Sequence, residues 1–312
     1  MEIKHMVAAA LIVLLTGAGV MVASFSQRVR DFMFFLMVAG AVVTERMDVN
    51  FFSRAWYRGT TDGFEISLID LLAVSVLVAS LLMPRYRGPR WFWPASLAFV
   101  GIYFLYGCFS VLISEPRIYG LFELSKIVRG MIYILTGAAF VRTRRELRWL
   151  VLGLVAAVCL EGALGMKQRL FGGMERVAGS LDHANSLSMY LCLVAPVLAA
   201  AAGADFPPWL RRLSLAGLAV AAGTMMLTLS RAGIPIFALV VLGTAGWCVS
   251  WRITLKKVAF GVLLLAAAGL LLRASWKPLM ARYGEASLHE EYFDDEVGNE
   301  GRGVYLRWAR MI

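Results

Sequence analysis

Five ionisable residues fall inside long apolar runs: Asp70, Glu123, Lys126, Arg129 and Glu161. A charge in such a place is costly unless it lines a polar cavity, meets a partner or reaches the lipid head groups. Glu123, Lys126 and Arg129 are spaced by three and so lie roughly along one helix face. Two readings of that face stand side by side. One is snorkelling with local ion pairing, as between Glu123 and Lys126; the other is the wall of a pocket. Arg129 and Glu161 lie about two turns deep at ~1.5 Å per residue, and there the pocket is favoured. A pocket lined by cations suits an anionic head group.

Two connecting loops add further cations. In Glu175-Arg-Val-Ala-Gly-Ser-Leu-Asp-His-Ala-Asn-Ser-Leu-Ser-Met-Tyr190, Arg176 precedes a turn at Gly179 and Ser180, and Asn185 or Ser186 suits the N-cap of the next helix. Thr228-Leu-Ser-Arg-Ala-Gly233 is a tight connection that carries Arg231. An Arg at a helix start can hold phosphate in a bidentate fork. An interfacial anchor is the other reading of the same residue. His183 fits a capping-loop histidine better than a general base.

The elements that must position these residues are written in the composition. The chain has 312 residues, of which 60% are hydrophobic and 17% charged, with mean hydropathy +0.70. A soluble domain is nearer half apolar and a quarter charged. The apolar residues gather into ten segments: Met6–Ser26, Phe32–Thr44, Ile66–Met83, Ala95–Ile113, Leu121–Val141, Leu150–Met166, Leu187–Ala202, Leu213–Leu229, Ile234–Val249 and Val258–Leu272. Membrane helices follow, because backbone in lipid must satisfy its own hydrogen bonds. The expected fold is all-α, a polytopic transmembrane bundle over residues 1–273, with 274–312 beginning a large extracytoplasmic loop. Phe32–Thr44 is the shortest segment and either spans or re-enters. Met1–Ser26 reads as a first span or signal anchor, since no small-residue cleavage site follows.

Charge sets the expected orientation. Loops 27–31, 84–94, 142–149, 203–212 and 250–257 hold 14 Lys and Arg, against 9 in the opposite set. The first set is therefore cytoplasmic. All five intramembrane charges then lie in the outer half of the bilayer, and Arg176 and Arg231 lie outside. The net charge of +10 is accounted for by topology and anionic lipid, and nucleic acid is not an expected partner. Cys108, Cys159, Cys192 and Cys248 each sit in an apolar run and read as small buried hydrophobes. The acidic stretch from His289 to Glu296 could hold Mg²⁺ or Ca²⁺, but a solvated loop is the stronger reading. No metal and no cofactor is expected. The final residues, Gly301 to Ile312, read as the start of an amphipathic helix without a stop signal. The sequence is therefore expected to continue past Ile312.

The two loops resemble a known family. Arg176 followed by Gly-Ser-Leu-Asp-His-Ala-Asn-Ser-Leu resembles the R…GTF-x-N-P-N-x-L stretch of bacterial O-antigen ligases and polymerases, and Thr228-Leu-Ser-Arg-Ala-Gly resembles their T-x-S-R-G/A-G/A turn. The loop 48–68 looks like that of some exopolysaccharide members, and 299–312 resembles the segment before the family's G-x-G-x-N stretch. The resemblance implies metal-independent glycosyl transfer on the outer face of the inner membrane. The implied donor is a glycan on undecaprenyl pyrophosphate, and the acceptor is a hydroxyl of lipid A core or of another lipid-linked glycan. Arg176 and Arg231 match the arginines that hold the pyrophosphate. Lys126 and Arg129 are expected beside them, and Glu161, Glu123, Asp70 and Asn185 as polar-cavity residues. The family's general-base His follows the G-x-G-x-N stretch and matches no residue here, so the catalytic residue stays unassigned. A transporter or flippase of an anionic lipid is the alternative from a different class, as is a non-catalytic relative.

Cysteine labelling is expected to find position 144 cytoplasmic and positions 182 and 291 outside. Labelling of position 291 only from the cytoplasmic side would overturn the placement of the site.

Overall fold

A computed structural model describes residues 3–43, 48–53, 63–83, 94–181 and 183–248, together with residues 273 and 280. Among the described residues the structure is mostly helical, at 83%. Among the described residues the order is α1 (Ile3–Phe25), α2 (Gln27–Gly40), β1 (Asp48–Ser53), β2 (Gly63–Ser67), α3 (Leu68–Leu82), α4 (Ala95–Ile113), α5 (Arg117–Phe140), α6 (Arg144–Leu170), α7 (Ala184–Gly203), α8 (Pro208–Thr228) and α9 (Gly233–Cys248). Each of the first nine apolar segments falls on one of these helices. Val258–Leu272, the acidic stretch and the 301–312 segment lie outside the described residues.

Among the described residues four helices are long and apolar enough to cross a membrane: α4, α6, α7 and α8. The apolar helices α3 and α9, and the apolar part of α1, are shorter. α5 has the length, with 24 residues, but carries Arg117, Glu123, Lys126 and Arg129. The surface agrees with an apolar surrounding. Leu97 is the only buried side chain of α4, while Phe99 is 74% exposed, Tyr106 70% and Trp247, on α9, 92%. Patches of that kind are unfavourable in water and ordinary against hydrocarbon.

The β-hairpin is a departure from the all-α expectation. β1 and β2 pair antiparallel, with an irregularity between Asn50 and Phe52. The alternation Phe64-Glu-Ile66 is the strand signal; over so few residues it is easily read as loop. Phe64 packs edge-on against the buried Phe122 of α5, with centroids 5.0 Å apart.

The chain divides into two compact units, one of Met1–Ala157 with Pro207–Ser214, the other of Val158–Phe206 with Leu215–Ile312. In the first, Phe34, Met37, Val38, Ile69, Ala73, Val76 and Phe140 form a core. Phe34 stacks on Phe140 at 4.0 Å. Helix ends in this unit are closed by charged side chains. Arg30 is buried and donates through Nη1 to the carbonyls of Ala79 (3.1 Å) and Met83 (3.0 Å), at the C-terminus of α3. A cation there meets both the orphan carbonyls and the negative end of the helix dipole. Glu146, also buried, accepts from the backbone N–H groups of Arg142 (2.9 Å) and Thr143 (3.0 Å) at the start of α6. In the second unit α7 lies against α9, brought close at Gly233, where a Cβ would collide with Ser188 Oγ.

The cysteines depart from the expected burial. All four are free; Cys159 is exposed and the other three are half-buried. In an apolar surrounding a thiol can face outward at little cost, because it behaves as a small hydrophobe.

Candidate functional site

Two polar clusters stand among the apolar helices, one in each unit. In the first unit Ser67 caps α3 and forms a capping box with Asp70: Asp70 N–H donates to Ser67 Oγ (3.2 Å), and Ser67 N–H donates to the Asp70 carboxylate (2.7 Å). The same carboxylate faces α5. Arg129 donates to it through Nε at 3.1 Å and pairs through Nη2 at 3.0 Å. Tyr133 donates its hydroxyl to it at 2.6 Å. Arg129 Nη2 also reaches Ser67 Oγ, at 3.2 Å. Arg129 and Tyr133 are one turn apart on α5 and so present one face to Asp70. The charge on Arg129 is thus matched by a carboxylate on a neighbouring helix. One turn earlier, Lys126 pairs with Glu123 on its own helix at 3.0 Å.

In the second unit Glu161 is fully buried. It belongs to α6 and accepts from Ser180 N–H at 2.9 Å, while Ser180 Oγ donates to its other oxygen. Two turns further along α6, Gln168 accepts from Ala178 N–H (3.0 Å) and Gly179 N–H (2.9 Å) and donates to the Gly179 carbonyl (2.6 Å). Gly179 has φ +69, and a Cβ on it would strike the Glu161 carboxylate. The turn expected at Gly179 and Ser180 is present, and its reason is this close approach of a buried acid.

The loop is held from the other side as well. Val177 is buried, and its N–H donates to Leu227 O at 3.2 Å. Arg176 donates through Nε to Thr228 O (3.3 Å) and through Nη2 to Asn185 Oδ1 (3.0 Å). The end of α8, the start of α7 and the loop between α6 and α7 therefore meet at one guanidinium. After Thr228 the chain turns sharply. Leu229 adopts φ +48, Ser230 N–H donates to Thr228 Oγ1 (3.3 Å), and Gly233 N–H donates to Ser230 Oγ (3.2 Å) at the start of α9. Arg231 sits on this turn, half-buried.

The structure therefore joins Arg176 with Asn185 and with the 228–233 turn, Arg129 with Asp70, and Lys126 with Glu123. Arg129 and Arg176 belong to different units. Asn185 is not the N-cap. That position is His183, exposed and without a side-chain cap bond, and α7 begins at Ala184. Asn185 falls in the first turn, where its amide oxygen is turned to Arg176. Ser67, Tyr133, Gln168 and Ser180 were not among the expected site residues. Ser67 and Asp70 could have been read as a capping box from their spacing. Gln168 could have been read from its place two turns after Glu161.

Comparison with family models, with characterised proteins and with solved structures finds no match.

Asp70→Asn removes the counter-charge of Arg129 and is expected to cost about 1–3 kcal/mol. Adding Arg129→Gln is expected to return part of that loss, because the uncompensated charge is gone. Thermal melts of the detergent-solubilised variants read both effects. Gly179→Ala is expected to cost more than the ~1–2 kcal/mol of a left-handed Ala alone, because the methyl displaces Glu161. Gly173→Ala supplies the comparison: Gly173 has φ +61, and no described atom lies within 4 Å of its added Cβ. Amide exchange at Ser180 should accelerate in the first variant and not in the second.

Proposed function

We propose that the chain is a membrane glycosyltransferase of the O-antigen ligase or polymerase type. It spans the bacterial inner membrane about ten times and works on the outer face in surface polysaccharide, lipopolysaccharide or exopolysaccharide synthesis. The observation that carries the reading is the hydrogen bond from Arg176 to Thr228 O. The two stretches that resemble the family are far apart in sequence, and this bond lays one against the other. Each brings an Arg, so Arg176 and Arg231 belong to one end of one unit.

The chemistry asks for such a place. An acceptor hydroxyl attacks the anomeric carbon of the donor sugar, the bond from that carbon to the phosphate oxygen breaks, and undecaprenyl pyrophosphate leaves. Negative charge grows on the leaving oxygens, and fixed guanidinium donors stabilise it. The planar fork of Arg matches two phosphate oxygens at once. The hydroxyl proton passes to a general base, which is assigned to none of the described residues. Lys126 and Arg129 belong to the other unit, where their charges are matched by Glu123 and Asp70.

The second reading is a transporter of an anionic lipid. Glu161 favours it, since a buried intramembrane acid is a common proton site in transporters. Its bonds to Ser180 give that carboxylate a structural task. Purified protein given an undecaprenyl-pyrophosphate-linked glycan separates the two: transfer to an acceptor supports the enzyme, and translocation without transfer supports the transporter. In the enzyme, Arg176→Lys and Arg231→Lys are each expected to lower transfer by roughly tenfold to a hundredfold, the equivalent of ~1.5–3 kcal/mol. The double variant should lose little more than either. Small, additive losses that track protein abundance would instead mark both residues as lipid anchors.

A further inference from the structure

The geometry points to Gln168, with Glu161 beside it, as the positioning residue that holds Arg176 in place for a diphosphate. The inference rests on the proposed function and concerns the same site. A primary amide is the side-chain group that offers an acceptor and a donor in one plane. Gln168 uses both ends on consecutive backbone groups: its oxygen takes the N–H groups of Ala178 and Gly179, and its nitrogen gives to the Gly179 carbonyl. A carboxylate of the same length could accept the first two and would be repelled by the third. Glu161 stands two turns earlier on the same face of α6 and takes Ser180 N–H and Oγ.

With Val177 N–H on Leu227 O, four consecutive residues from 177 to 180 are bonded by their backbone to the helices around them. Arg176 is the residue immediately before this fixed run. Its guanidinium direction, toward Thr228 O and Asn185, is therefore inherited from a loop that has little freedom left. A cation held this way loses less conformational freedom when a phosphate arrives than one on a mobile loop. Gly179 is required for the same reason, since any side chain there pushes Glu161 away. Gln168 touches no ligand in this account; it acts through Arg176.

The test measures binding of undecaprenyl pyrophosphate to the detergent-solubilised full chain for the wild type, Gln168→Glu, Arg176→Lys and the double variant. Amide exchange is followed on the same samples. The expected result has three parts. Gln168→Glu weakens binding about tenfold. The double variant binds no more weakly than the weaker single. Exchange accelerates at residues 178–180 while α6 and α7 keep their protection. Wild-type affinity in Gln168→Glu, or losses that multiply in the double variant, overturns the positioning role. Where Gln168→Glu exchanges quickly throughout α6 and α7, the isosteric and uncharged Gln168→Met replaces it, with the same two outcomes. A wild type that does not bind undecaprenyl pyrophosphate brings down the proposed function itself, and that is seen before any variant is read.

Discussion

A polar group surrounded by hydrocarbon has no water to fall back on, so its partner must be supplied by the protein. Most of the specific structure in this chain follows from that constraint. The helices satisfy their own interiors. What remains are helix ends, loop backbone and a handful of charges, and these are where distant parts of the sequence are drawn together. Arg30 closes the end of α3, Glu146 closes the start of α6, and Asp70 closes the start of α3 while also receiving Arg129 and Tyr133. Each of these charges is matched by backbone, by an opposite charge or by both.

The two polar clusters answer the constraint differently. On α3 and α5 a carboxylate and a guanidinium neutralise one another, and the cluster is closed by a tyrosine and a serine hydroxyl. On α6 an acid and an amide are spent on the backbone of a loop. The second arrangement fixes the loop before α7, and with it the direction in which Arg176 reaches Thr228 O and Asn185 Oδ1. One cluster therefore joins two helices through opposite charges, and the other joins a helix to a loop through hydrogen bonds.

Much of the fold was legible because hydropathy is a long-range signal. Ala95–Ile113 was readable to the residue, since it is bounded by Pro94 and by Ser114 and holds no charge. The hairpin was not, because five residues of alternation give a weak period. Within the site, the residue types and the Gly179 turn were legible, and the partners were not. Nothing in the spacing of Asp70 and Arg129, 59 residues apart, says that they meet. Gln168 carries no charge to mark it in an apolar run, and its role rests on hydrogen-bonding capacity alone. Propensity points to Asn185 or Ser186 as the cap; the N-cap is His183, two residues before Asn185, whose amide oxygen instead meets Arg176.

α4 shows another face of the same physics. It rests mainly on α5 and buries one side chain, Leu97. In water a helix so lightly held would melt when it parted from its neighbour, since its length alone supports it poorly. In a bilayer the backbone bonds survive separation, and lipid tails replace the lost contacts at little loss. The cheapest large motion open to this part of the chain is therefore lateral displacement of an intact rod, a movement that leaves circular dichroism and helix-amide protection unchanged.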